Sequence, residues 1–333
     1  MGNGAGRTHL PGPMTAAGAA IPAGPATGPA GSELTLLPTT VIGGWLGSGK
    51  TTLVNHLLRT ANDRRIAVLV NDFGEVSIDA DLIEGADGGV LSLAGGCMCC
   101  SWGDDLFGTL ARVRARQPGP DVLLVETSGV AQPASVGRLL RLAPGLSVEG
   151  TVVLADADSI RRQAADPYVG DLVRQQLADA DLLLVTKPDL AGAEQVDAVK
   201  QWLGEQVPGV RVIVAPQGQI APGVVLGLGP APPAGGAEDP SDAPWQPAGW
   251  RRPSAGADAR FESGWQSHPG PVDVQALGQS LCAQGSRVVR AKGILTGLDG
   301  QLVALHVVGR RFTLSAPPAR PAQVGRLAWI ALR

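Results

Sequence analysis

Aromatic side chains make up only 4% of this 333-residue chain, with a single tyrosine. Charge is close to balanced: 27 Lys and Arg against 30 Asp and Glu leave a formal net charge of −3. That excludes a general electrostatic grip on nucleic acid or on an anionic membrane. No apolar run approaches the ~18 residues needed to span a bilayer. The opening Met1-Gly2-Asn3-Gly4-Ala5-Gly6 lacks the basic start and apolar stretch of a secretory signal. Gly6 also stands where a myristoylation site wants Ser or Thr. Cysteine is scarce, and three of the four crowd together as Cys97, Cys99 and Cys100. Neighbours that close cannot staple a fold, so reduced thiols and a cytoplasmic setting are expected.

Glycine and proline are plentiful, 46 and 27 residues, and much of the excess falls in two segments. Residues 1–32 are Ala/Gly/Pro-rich with almost no large apolar side chains. Such a tail buries too little surface to offset ordering entropy and is expected to be disordered; Met14 is a second candidate start. Residues 228–260 have similar composition and are expected to form a linker.

Between these segments, residues 33–227 alternate two kinds of pattern. Leu34–Gly43 is a strand running into a glycine loop. The runs Ile66–Val70, Val122–Val125, Thr151–Ala155, Leu182–Val185 and Val210–Val214 are short and nearly unbroken by polar residues. That pattern fits strands covered on both faces of a parallel sheet. Helical periodicity occupies Thr51–Ala61, Asp104–Arg116, Ala134–Leu142, Val169–Ala178 and Glu194–Gln206. The expected fold is α/β, a mostly parallel doubly wound sheet. Residues 261–333 contain Phe261–Trp265, a helix at Val272–Ala283, and strands at Val288–Leu295, Leu302–Val308, Arg311–Leu314 and Arg326–Ala331. These predict a small α+β domain.

The first strand leads into Gly44-Trp-Leu-Gly47-Ser48-Gly49-Lys50-Thr51, a full match to the P-loop pattern between a strand and a helix. Glycines let backbone N–H groups converge on phosphate oxygens, and the helix N-terminus adds positive potential. Lys50 is expected to bridge the β- and γ-phosphates, and the Thr51 hydroxyl to bind Mg²⁺, with Thr52 beside it. The chain is therefore expected to be a P-loop NTPase.

Two further loops extend this site. Val122–Val125 ends in Glu126, with Gly129 three residues on. A carboxylate at a strand's C-terminal tip lies beside the P-loop in this sheet type. Glu126 can hold a Mg²⁺-bound water or orient the attacking one, and Gly129 can offer its N–H to the γ-phosphate. Leu182–Val185 is followed by Thr186-Lys187-Pro188-Asp189, close to the Asn-Lys-x-Asp loop of P-loop GTPases. An Asp there accepts from the guanine N1–H and N2–H₂ edge; adenine has no such donor pair, so the pattern points to GTP. Lys187 is expected to pack along the base, and Thr186 offers fewer hydrogen bonds than an Asn.

Gly95-Gly96-Cys97-Met98-Cys99-Cys100 places three thiols within four residues after a glycine pair. Thiolates suit Zn²⁺ and Cu(I) and accept Co²⁺. Two or three sulfurs leave a coordination position for an acid, water or recipient protein, which suits delivery more than structural support. Buried apolar cysteines or a redox pair are the rival readings. Adjacent Cys99 and Cys100 make a poor disulfide, and the glycine pair argues against helix-core packing. Cys282, on a helix with Leu277 and Leu281, is expected in the core. His268 and His306 are unclustered, and His56 sits on the P-loop helix.

Taken together, Gly44–Thr52, Asn71-Asp-Phe-Gly-Glu75-Val-Ser-Ile-Asp79, Gly96–Cys100, Glu126–Gly129 and Thr186–Asp189 resemble the CobW, or cobalamin-synthesis-protein, family. These are metal-handling GTPases related to the urease and hydrogenase nickel accessory proteins. Arg290-Ala-Lys292-Gly293 resembles that family's Arg-x-Lys-Gly signature. The resemblance implies a GTP-hydrolysing metallochaperone that delivers zinc or cobalt to a client metalloprotein. Catalysis would rest on Lys50, Glu126 and Gly129. The metal would be held by Cys97, Cys99 and Cys100 with Asp72 and Glu75 nearby, and the client met through the C-terminal domain. Asn71–Asp79 would be the switch joining nucleotide and metal sites. Departures are Asp72 for the family's Glu, Ala131-Gln132-Pro133 for Ala-Asp-Pro, and the lack of a His-rich insertion. A homodimer stays open, as do two other readings: a small-molecule kinase, and a non-catalytic activator that docks on a metalloenzyme.

Overall fold

The computed structural model of the chain describes residues 36–61, 64–71, 90–93, 102–227, 260–317, 321 and 324–333. Asp72, Glu75, Cys97, Cys99, Cys100, the 1–32 segment and all of the 228–260 segment except Arg260 lie outside the described residues.

Among the described residues, seven strands form one sheet: β1 (Leu37–Gly44), β2 (Ile66–Asn71), β3 (Val90–Leu93), β4 (Val122–Glu126), β5 (Leu146–Asp156), β6 (Leu182–Thr186) and β7 (Arg211–Val214). Their order is β3-β2-β4-β1-β5-β6-β7, and each neighbouring pair is parallel. The unbroken apolar runs have the expected cause: every residue of β4 and β6 is buried, because helices cover both faces. Helices α1 (Lys50–Thr60), α2 (Trp102–Ala115), α3 (Pro133–Leu142), α4 (Ile160–Ala164), α5 (Gly170–Ala178), α6 (Pro188–Ala191), α7 (Ala193–Gln206) and α8 (Pro222–Leu226) connect or follow the strands. On α1, Leu53, Val54 and Leu57 are fully buried and share one face against β1, β4 and β5. Because the strands are parallel, the loops after β1, β4, β5 and β6 emerge at one edge. The chain winds outward on either side of β1, the switch point where open α/β sheets bind ligands. Among the described residues no helix is long and apolar enough to cross a membrane.

A second sheet is antiparallel, with strands β8 (Phe261–Ser267), β9 (Val288–Thr296), β10 (Leu302–Val308), β11 (Arg311–Ser315) and β12 (Arg326–Leu332) in the order β11-β10-β9-β12-β8. Helix α9 (Val274–Cys282) covers one face. It starts where Asp273 caps it, accepting from Ala276 N–H at 2.9 Å, two residues later than periodicity alone predicts. The other face carries Phe261, Val289, Ala328 and Ile330 into the same apolar cluster as Leu57 of α1 and Val224–Leu226 of α8.

The Arg290-Ala-Lys292 signature lies at this joint. The pairing of β9 with β12 slips by one residue between Ile330 and Ala331. Through that bulge the consecutive Val289 and Arg290 both address the parallel sheet. Arg290 is wholly committed: Nε donates to Val224 O (2.7 Å), Nη1 to Glu149 of β5 (3.1 Å) and Nη2 to Val225 O (2.6 Å). Lys292 Nζ reaches the other Glu149 oxygen at 3.0 Å, and His306 stands 3.7 Å from it. On the β10–β11 turn, Arg310 donates to Ala178 O (2.6 Å), the last carbonyl of α5, and to Ala180 O (3.1 Å) just beyond it. Arg311 Nε lies 2.8 Å from the buried Asp181 carboxylate.

Candidate nucleotide site

The loop after β1 has the backbone its glycines allow. Gly47 and Gly49 take left-handed φ values of 73° and 93°, and Gly49 caps α1. Gly44 is bound by close approach: a Cβ there would meet Leu154 O and Ser48 Oγ, both at 2.6 Å. Lys50 folds back over the loop, Nζ donating to Gly44 O (3.1 Å) and Trp45 O (3.4 Å). Thr51 is half-buried behind it, and Thr52 is exposed on the first turn of α1.

Glu126 sits buried at the tip of β4, beside β1, and its Oε1 accepts from the Thr51 hydroxyl at 3.1 Å. The two residues expected at a Mg²⁺ site are thus brought together by strand order. Gly129 lies directly against the phosphate loop: a Cβ would meet Leu46 N at 2.8 Å, so no other residue fits without displacing that backbone.

The Thr-Lys-x-Asp loop is tied to the phosphate loop from the other side. Thr186 Oγ1 donates to Ser48 O (2.8 Å), with Ala155 O at 3.4 Å. The hydroxyl therefore makes the bond between base loop and phosphate loop, for which an amide is not required. Lys187 takes a left-handed φ of 53° and places Nζ 2.8 Å from Asp156 Oδ2 at the tip of β5. Burial alone would raise the Asp156 carboxyl; the Lys187 ammonium and the Asp158 N–H outweigh it and hold it below its ordinary value. Asp189 is exposed on the first turn of α6.

Asp156 was missed in the sequence, although its signal matches that of Glu126: an apolar strand ending in a carboxylate. Gln176 of α5, buried and donating from Nε2 to Gly129 O and Ala131 O beside this site, was also missed and had no local signal. Cys282, expected in the core, is half-buried at the edge of the second sheet's apolar cluster, and burial pushes its thiol up to about 11, well away from a reactive thiolate.

A family model for the CobW/HypB/UreG nucleotide-binding domain matches residues 38–214, more than half of the chain. The chain belongs to this family. Its CobW relatives include the zinc chaperone CobW of Pseudomonas aeruginosa, 32% identical over 227 residues, covering 59% of this chain and 60% of that protein. The zinc chaperone YeiR of Escherichia coli is 36% identical over 170 residues, covering 49% and 50%. The chain thus spans about half to three-fifths of the length of these curated relatives. Among solved structures, the Zn(II)-bound YjiA GTPase from Escherichia coli aligns over 90% of this chain and 95% of its own, at 20% identity and a TM-score of 0.43.

The expected metal ligands Cys97, Cys99, Cys100, Asp72 and Glu75 lie outside the described residues. Among the described residues no group of three His, Cys, Asp or Glu is arranged to hold a metal ion. What is described is where the flanking chain leaves the sheet. β2 ends at Asn71 and β3 at Leu93, and these two are register partners on adjacent parallel strands. The chain therefore leaves the sheet after β2 and after β3 at neighbouring points on the phosphate-loop edge.

Proposed function

We propose that the chain is a GTP-hydrolysing metallochaperone of the cytoplasm, taking Zn²⁺ or Co²⁺ as cargo and handing it to a client metalloprotein. The observation that carries the reading is the joining of Thr51, Glu126, Gly129 and the Thr186–Asp189 loop on one phosphate loop, in a chain of the CobW/HypB/UreG family. Thr51 and Glu126 are hard oxygen donors suited to Mg²⁺, which would neutralise phosphate charge when bound. Lys50 and the loop N–H groups bind the phosphates, and Asp189 reads the guanine edge. Glu126 orients water, and Gly129 offers its N–H to the γ-phosphate.

Cargo would sit on Cys97, Cys99 and Cys100 with Asp72 and Glu75 close by. The pairing of Asn71 with Leu93 at the ends of β2 and β3 supports coupling between nucleotide and cargo. The joint between the sheets leaves the outer parts of the 261–333 region to meet the client.

The test is Zn²⁺ and Co²⁺ titration of the reduced protein, with and without GTP·Mg²⁺, against a Cys97/Cys99/Cys100→Ser variant, with phosphate release followed in parallel. Tight, nucleotide-dependent binding lost in the variant is expected. Binding indifferent to nucleotide and to those cysteines would leave a P-loop GTPase whose cargo is not a metal.

A further inference from the structure

Gln176 is a polar side chain in the last turn of α5 with 1% of its surface exposed. Its Nε2 donates to Gly129 O at 2.9 Å and to Ala131 O at 2.8 Å. Two carbonyl acceptors fix the orientation of the amide, since only its NH₂ end can donate to both. The same end of the helix grips the loop twice more, from Gln175 and from its C-cap Asp179. Gln132 Nε2 donates to Gln175 Oε1 at 2.6 Å, and Ala134 N–H donates to Asp179 Oδ2 at 2.9 Å. On the opposite side Gly129 abuts Leu46 of the phosphate loop. The loop from Gly129 to Ala134 is therefore clamped between α5 and the nucleotide site. A residue needed only to fill space at position 176 would be apolar, because a buried amide is costly unless its bonds are required.

We infer that Gln176 is a positioning residue for the γ-phosphate. By holding the Gly129 carbonyl it limits how the peptide on the other side of Gly129 can turn, and so presents the Gly129 N–H in one orientation. This rests on the reading of Gly129 as the γ-phosphate donor. GDP has no group in that place, so the signature of Gln176 is the ratio of GTP to GDP affinity rather than nucleotide affinity as a whole.

The experiment titrates fluorescent GDP and a non-hydrolysable GTP analogue, both with Mg²⁺, into the full chain and three variants. Gln176→Met keeps the volume and removes the donors; Gln176→Asn keeps the amide one methylene short of the carbonyls. Both are expected to weaken the GTP analogue roughly tenfold while GDP changes less than about twofold. GDP affinity also reports whether each variant is folded. Parallel loss of both nucleotides, or an unchanged ratio, overturns the inference. Gly129→Ala separates the two layers. If it leaves the ratio at the wild-type value, the donor reading of Gly129 fails and the role of Gln176 falls with it. If it collapses the ratio while both Gln176 variants preserve it, only the inference about Gln176 fails.

Discussion

Arg290 of the antiparallel sheet and Glu149 of the parallel sheet pair at 3.1 Å with side-chain exposures of 2% and 4%. The pair is 141 residues apart in sequence and welds the two sheets at the strand that flanks the phosphate loop strand.

Removing one partner of such a pair strands the other charge away from water. Glu149→Ala is expected to lower stability by about 3–5 kcal/mol, since it leaves Arg290 and Lys292 without their shared acceptor. Arg290→Lys should also be costly despite keeping the charge. One ammonium cannot serve Val224 O, Val225 O and Glu149 together as the guanidinium fork does. Chemical denaturation of both variants checks this; an Arg290→Lys protein as stable as wild type would mean the fork geometry is dispensable.

The same pair sets an acid limit. Burial would raise the Glu149 carboxyl, but Lys292, His306 and Arg290 outweigh it and hold it far below its ordinary 4.5. A depressed folded-state pKa contributes stability that is complete above the unfolded value and lost as pH falls below it toward the folded one. Asp179 and Asp181 act in the opposite sense, since burial raises both and their contribution is lost as pH rises. Those two are common to wild type and Glu149→Gln, so the difference between the proteins isolates Glu149. Melting temperatures of the two are expected to converge on acidification from pH 6 to pH 3; a constant gap would show that Glu149 does not titrate with folding.

How much of this was readable in advance follows from range. Strands such as Val122–Glu126 and Leu182–Thr186 show themselves because burial on both faces demands an unbroken apolar run. β3 is only Val90-Leu-Ser-Leu93, too short and too broken to stand out beside glycines. The insertion of β4 between β2 and β1 has no signature in periodicity at all. The phosphate loop, Glu126 and the Thr186–Asp189 loop were legible because each is a local cluster at a strand end. Gln176 was not, because the carbonyls that give it a role lie 47 and 45 residues earlier in the chain. In a helix, a glutamine looks like solvated surface until the tertiary fold buries it.

Base specificity can be tested at Asp189. Guanine presents two donors to a carboxylate, whereas xanthine carries a carbonyl in place of the amino group. Asp189→Asn replaces an acceptor by a group that can also donate, so it should lose GTP affinity on the order of a hundredfold and gain affinity for XTP. Direct titration of fluorescent GTP, XTP and ATP into wild type and variant reads this. GTP binding unmoved by the substitution would show that Asp189 does not touch the base.

Coupling between nucleotide and cargo makes the strictest demand, because linkage runs both ways. If GTP·Mg²⁺ tightens Zn²⁺ binding by some factor, Zn²⁺ must tighten GTP binding by the same factor, and allosteric pairs of this kind span roughly 5- to 150-fold. The structural ground is the pairing of Asn71 with Leu93, the ends of the adjacent strands β2 and β3. GTP affinity should shift on adding stoichiometric Zn²⁺ to wild type and stay still in the Cys97/Cys99/Cys100→Ser variant. Identical GTP affinity with and without metal would mean that the two sites share an edge of the sheet but exchange no free energy, and delivery would then need a trigger other than hydrolysis.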